Sequence, residues 1–308
     1  MSRKRIDAHI HVFEENMAGF KDPYIESEIL EFGKVRAWDG SIVSWMPGMI
    51  KNSTFDYETV KTIFDENGVS RGVILQYGTP YFNEAAIEAV QKYPGMFIGG
   101  MAPDFKSPRC IDEVIENNEK GITAIKFTMH SDCGLMCPSR FPELKFDDAV
   151  VLQMFEEAQK RDMTIAIDLG KIGGKGYQTE RLSKVVKDFP TLRFVLCHCG
   201  FPQAKESEYR GKWEALIELG RNENVWFDCA AFPEIIGTEA YPYPTSTKVC
   251  RYLMDRFGSD KIIWGSDTPG TLLLSTYRQM IDMYENSPLF SETEKDRLFW
   301  KNAEDAYY

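Results

Sequence analysis

At 308 residues the chain is long enough for two ordinary domains or for one large α/β barrel with insertions. Apolar residues make up 43% and aromatics 13%, which supplies a sizeable core and excludes a disordered chain. With 47 acidic against 36 basic residues the formal net charge is -11, which repels a phosphate backbone and excludes nucleic acid as the expected partner.

The N-terminus, Met-Ser-Arg-Lys-Arg, leads straight into a short strand with no apolar signal core, and no run is long enough to span a bilayer. A cytoplasmic location away from membranes is expected. Short β-rich runs then recur along the chain, at 5–12, 71–77, 97–102, 123–129, 164–169, 193–199, 225–230 and 261–266. The later ones are almost continuously apolar, as parallel strands buried on both faces should be. Helical patterns lie between and after them, at 83–92, 111–119, 147–161, 179–188, 212–221, 247–257, 273–285 and 292–306. Gly68 and Gly121 stand just before strands, where a helix end needs a left-handed residue. An open doubly wound sheet would carry a Gly-rich turn after its first strand, and none is there. The layout therefore predicts one α/β domain over residues 1–308, a closed (β/α)₈ TIM barrel. The stretch 14–57 is a long βα-loop insertion carrying Phe20, Tyr24, Phe32, Trp38, Trp45 and Phe55. It reads as a lid or substrate wall, with Trp45 a substrate contact, or as an oligomer surface.

A parallel barrel places its site at the C-terminal ends of its strands. On the first strand His9 and His11 are two apart and share a face, close enough to grip one ion, with Asp7 one step deeper on that face. On the fifth, Asp168 closes the apolar run Ile-Ala-Ile-Asp, as a ligand or a turn residue. On the sixth, His198 stands between Cys197 and Cys199, so an inward histidine sends both thiols outward; its plainer role is a buried histidine satisfied by backbone. On the eighth, Asp267 follows Ile-Ile-Trp-Gly-Ser, as ligand, base or helix cap. The seven cysteines are scattered and odd in number, which fits a reducing compartment, and the C-x₃-C pair Cys133 and Cys137 reads as structural thiols. Two imidazoles and two carboxylates with a third imidazole nearby suit one divalent ion, zinc, manganese or iron, with room for water. Asp267 then takes the water's proton, and His198 orients or protonates a substrate oxygen.

At these residues the chain resembles the amidohydrolase-related family, the branch of the amidohydrolase superfamily that contains aminocarboxymuconate semialdehyde decarboxylase and resorcylate decarboxylase as well as hydrolases. Ile-Asp-Ala-His-Ile-His is similar to the family's first-strand HxH motif, which implies His9 and His11 as metal ligands. Cys197-His198-Cys199-Gly200 resembles the sixth-strand His-x-Gly motif and implies His198 as the catalytic histidine. Gly265-Ser266-Asp267-Thr268-Pro269 resembles the eighth-strand Gly-Ser-Asp-x-Pro motif, whose aspartate is ligand and acid/base. Asp168 stands where the family usually has a histidine ligand, and an oxygen donor there shifts the expected metal from zinc toward manganese or magnesium. Gly121-Ile-Thr-Ala-Ile-Lys126 is similar to a segment commoner in the family's hydrolases, and Lys126 is a candidate cation facing substrate.

The leading expectation is metal-dependent hydrolysis of an amide, lactone or related small carbonyl compound. The alternative is non-oxidative decarboxylation of an aromatic or unsaturated acid, for which Arg210 is the candidate carboxylate clamp. A catalytically degenerate binding barrel is the third. A homodimer is usual among the family's members.

Overall fold

The computed structural model describes residues 3–14, 17–22, 26–131, 133–137, 143–202, 207–237 and 239–308. The first strand, β1 (Ile6–Ile10), is followed by four short strands, β2 (Lys21–Asp22), β3 (Ser27–Ile29), β4 (Lys34–Arg36) and β5 (Ile42–Ser44). The remaining strands are β6 (Arg71–Leu75), β7 (Phe97–Met101), β8 (Ile122–Thr128), β9 (Thr164–Asp168), β10 (Arg193–Leu196), β11 (Val225–Asp228) and β12 (Ile262–Ile263). β1 and β6 to β12 pair in chain order in one eight-stranded sheet whose ladders are all parallel. Backbone bonds close it: Ala8 N–H donates to the Trp264 carbonyl at 3.1 Å, Asp267 N–H to that of His9 at 2.8 Å, and His11 N–H to that of Thr268 at 2.9 Å. The fold is the expected (β/α)₈ barrel.

Strands β1, β9 and most of β6 and β8 are buried along their length, because they face the barrel interior on one side and helices on the other. The interior is filled by small and branched side chains, among them Ala8, Val73, Ala124, Ala166 and Val195, with the C-terminal helix Asn302–Tyr307 bringing Ala303, Ala306 and Tyr307 against them. Helices cover the outside through buried stripes such as Leu182, Val185 and Val186 on Thr179–Asp188. No helix among the described residues is long and apolar enough to cross a membrane.

Three departures from the sequence pattern bear on the site. First, the register of β1 against β6 slips between Asp7 and Ile10, a bulge that moves side chains to the opposite face. Asp7 consequently points out, accepting from the Tyr277 hydroxyl at 2.8 Å and from Ser266 N–H at 2.8 Å, and does not share the face of His9 and His11. Second, β10 ends at Leu196, and His198 and Cys199 adopt left-handed backbone with φ of 57° and 48°. Cys197 thus stays in phase with inward Val195 instead of pointing to the helices, and His198 reaches the site through the turn. Third, the 14–57 insertion carries an antiparallel sheet, β2-β3-β4-β5, and is followed by the helix Tyr57–Asn67, a stretch to which the sequence pattern assigns no element. That helix has regular ends: Asp56 accepts from Thr59 N–H, and Gly68 closes it at φ 65°.

Candidate metal centre and active site

His9 is fully buried, and its Nδ1–H donates to Asp228 Oδ2 at 3.0 Å, which leaves Nε2 as the acceptor nitrogen, with the Lys126 ammonium 3.1 Å from it. His11 Nδ1–H donates to the Leu75 carbonyl at 2.5 Å, so its Nε2 likewise presents a lone pair. That Nε2 lies 2.7 Å from Asp267 Oδ1, and His9 Nε2 lies 3.6 Å from the same oxygen. One donor atom from each of the three residues falls within 4.8 Å of the others. Electron pairs so crowded repel unless a cation or a proton is shared among them; the Lys126 ammonium answers the one on His9, and two imidazole nitrogens with one carboxylate are also a donor set that fits a divalent ion. Burial and then the Lys126 charge lower the His9 pKa to about 4, against the pull of Asp228 and Asp267, so His9 is neutral and able to ligate. Burial raises the Asp267 carboxyl, but His9 and His11 more than offset it and hold the group well below the ordinary range. Asp267 itself sits at φ 59°, a strained backbone for a residue with a side chain.

A second group stands beside the first. His198 stacks on His9, ring centroids 4.9 Å apart, and its Nδ1–H donates to the Ala230 carbonyl at 3.1 Å. Its Nε2 is 3.7 Å from Asp168, whose carboxylate also accepts from His130 Nε2–H at 3.0 Å. Burial pulls the His198 pKa down, but Asp168, Asp267 and Asp228 raise it to about 9. Asp168 is depressed well below the carboxylate range because both imidazoles outweigh its burial. Asp228 anchors the two groups together, taking His9 on one oxygen and His198 N–H on the other at 2.8 Å.

Over these groups lies a cavity of about 560 Å³. His11, Asp267 and His130 reach it from the barrel; Phe13, Trp45, Tyr77 and Phe82 form apolar walls, and the short sheet supplies the outer rim. The insertion is thus a wall of the site. Phe20, Trp38 and Trp45 line it, Phe55 belongs to the core, Phe32 is exposed, and Tyr24 lies outside the described residues.

The structure brings His9, His11 and Asp267 together and sets His198 next to them. Asp168 is placed elsewhere than its sequence position suggested: it binds His130 and His198 and is not among the converging donors. Lys126 is 2% exposed and absent from the cavity lining; its ammonium donates to His9 Nε2 and to Cys197 Sγ, both at 3.1 Å. It is an internal cation beneath the site, because its strand position lies a layer deeper than the mouth. Arg210 is 75% exposed beside Glu214, on the helix Ser207–Ile217, and is no clamp for a bound carboxylate. Cys133 lines the cavity and pairs with the Tyr77 hydroxyl at 2.7 Å, while Cys137 is buried. His130 and Asp228 were not singled out. His130 continues the alternation Lys126, Thr128, His130 off β8, and Asp228 ends the apolar run of β11 just as Asp168 ends that of β9.

The profile of the family described as Amidohydrolase matches residues 6–308. Among curated proteins, "Uncharacterized protein y4mH" of Sinorhizobium fredii is 25% identical over 173 residues, 55% of this chain, and the match spans about half of that relative, 52%. Among solved structures, an amidohydrolase from Burkholderia multivorans with bound zinc superposes with a TM-score of 0.74 at 17% identity, covering 98% of each chain. A candidate 2-pyrone-4,6-dicarboxylic acid hydrolase from Pseudomonas putida gives 0.71 at 17%, covering 99% of this chain and 98% of that one. At such identities the likeness to these structures is one of fold.

Proposed function

The chain belongs to the amidohydrolase family, and from that premise we propose that it hydrolyses an amide, lactone or related carbonyl compound at a centre formed by His9, His11 and Asp267. The observation that carries this reading is the convergence of two imidazole nitrogens on one carboxylate oxygen at the foot of an aromatic-walled cavity. A divalent ion held by these residues supplies the acidity that makes water nucleophilic near neutral pH and the field that polarises a carbonyl. Asp267, which reaches the cavity, takes the proton of the attacking water and passes it to the leaving group. His198, kept cationic by Asp168, places positive charge beside the carbonyl oxygen where negative charge grows. His130 is oriented by Asp168 and presents an imidazole edge to the bound substrate. Trp45 and Phe13, packed edge to face at 4.5 Å, hold the body of the substrate against the floor.

Zinc is the ion we favour over manganese. With Asp168 engaged by His130 and His198, the donor set is two nitrogens and one carboxylate, a set zinc takes readily, and the zinc in the Burkholderia multivorans structure supports the choice. The test is lactone and amide hydrolysis by protein stripped with chelator and reloaded with zinc or manganese. Activity should vanish on stripping and return with the ion; full turnover by metal-free protein would end the reading.

A further inference from the structure

We infer, building on the hydrolase reading, that the substrate is an uncharged, flat carbonyl compound, a neutral lactone, ester or amide on an aromatic or unsaturated ring, and that di- and tricarboxylates are excluded. The first ground is the shape and chemistry of the walls. Aromatic rings run without interruption from the floor outward: His11 to Phe13 at 6.4 Å, Phe13 to Trp45 at 4.5 Å and to Phe82 at 5.1 Å, and Phe82 to Phe20 at 5.9 Å. The Phe13 contacts to Trp45 and Phe82 are edge to face, at 62° and 87°, so each ring fixes its neighbour and the wall is preformed.

The second ground is charge. Asp22, Asp39, Glu234 and Asp267 line the cavity against one ammonium, Lys171, and among the described residues no arginine lines it. A bound carboxylate is best held by a guanidinium fork or several charged donors. At the floor the proposed ion and His198 would engage one carbonyl group, but a further carboxylate toward the rim would meet a single ammonium, Lys171, and be answered by the rim carboxylates, which penalises a dianion in a partly dehydrated cavity.

The third ground is independent of both. Two lining residues, Trp45 and Thr79, have a buried polar atom, Nε1 and Oγ1, with no hydrogen-bond partner among the described residues. Thr79 is 1% exposed. Buried donors left unpaired are costly, and these two are uncharged, suited to a carbonyl or ring oxygen.

The test uses the metal-loaded full chain and three probes of one skeleton: phthalide, its monocarboxylate and its dicarboxylate. Binding is followed by tryptophan fluorescence, since Trp38 and Trp45 are in the wall, and checked by calorimetry. Phthalide should bind at least about ten-fold tighter than the dicarboxylate, an energy gap of about 1.4 kcal/mol. The double variant D39N/E234Q, or raised ionic strength in the unaltered protein, should narrow that gap by tightening the dicarboxylate. A dicarboxylate that binds as well as phthalide, a gap indifferent to both manipulations, or no binding of phthalide would overturn the inference. Turnover of the same probes separates it from the reading beneath it. Phthalide bound but never opened refutes the hydrolase and spares the charge preference, whereas fast opening of the dicarboxylate does the reverse.

Discussion

His11 and Asp267 meet at 2.7 Å, and the chemistry of that contact sets what each substitution does. Asp267→Asn keeps the shape and removes the charge. It should leave the barrel folded by circular dichroism, drop bound metal below one equivalent, and lower hydrolysis by about 10²–10⁴-fold. Asp168→Asn strips the anionic partner from two imidazoles at once, and breaking a buried charged contact costs about 3–5 kcal/mol; urea unfolding measures it. Combined with His130→Gln, its effect should be non-additive by about 0.5–3 kcal/mol, since the two residues share one hydrogen bond, and additivity would mean that the pair is not coupled. Residue identities were readable where a period-two pattern put like groups on one strand, as with His9 and His11. His130 obeys that pattern too, but its partner lies 38 positions away on another strand, so nothing local marked it. Which imidazoles Asp168 would choose is a matter of barrel geometry, and its place at the end of an apolar run fits a ligand and a positioning group equally well.

At the scale of the element, the bulge in β1 decides the site. Without it the alternation would leave Asp7 inward with His9, and an unpaired carboxylate would face the interior. The eighth strand comes close beside it: a Cβ on Gly265 would lie 2.7 Å from His9 Cβ and 3.0 Å from its backbone nitrogen. Gly265→Ala should therefore displace His9 and weaken zinc binding, read by competition with a chromophoric chelator, although no donor has been removed. The insertion sheet has strands of two or three residues and an exposed outermost strand, β5. Hydrogen exchange should show its amides opening well before those of β6 to β11, with slowing on ligand binding. The barrel strands were legible because buried parallel strands write continuous apolar runs. The short sheet was not, because two or three residues carry no period, and the helix Tyr57–Asn67 went unassigned between the loop and the second barrel strand despite its Asp56 cap. β12 pairs with β11 over two residues, and its continuation bonds to β1 instead, which places Asp267 beside His9 and His11.

For the whole molecule, the proposed centre should link ion binding to folding. An ion at 100 times its dissociation constant adds about 2.7 kcal/mol to stability, so chelator should lower Tm by several degrees and zinc should restore it; an unchanged Tm would deny the linkage. Acid should act through Asp168, Asp228 and Asp267, each held below the ordinary carboxylate range by its imidazoles in spite of burial. A depressed folded pKa contributes stability above the unfolded value of about 3.9, and that stability is lost as pH falls through the folded value. The metal-free protein should thus hold its Tm down to about pH 4 and lose it steeply below, with a shallower fall in Asp168→Asn. The backbone bonds that close the barrel between β1 and the segment after β12 also impose an order on biosynthesis. His11 leaves the ribosome 256 positions ahead of the aspartate it faces. Until that aspartate emerges, a growing chain owns the two imidazoles without the carboxylate that would complete their grip. On the proposed centre, firm retention of the ion would belong to the finished polypeptide, and a fragment ending before the eighth strand should release it.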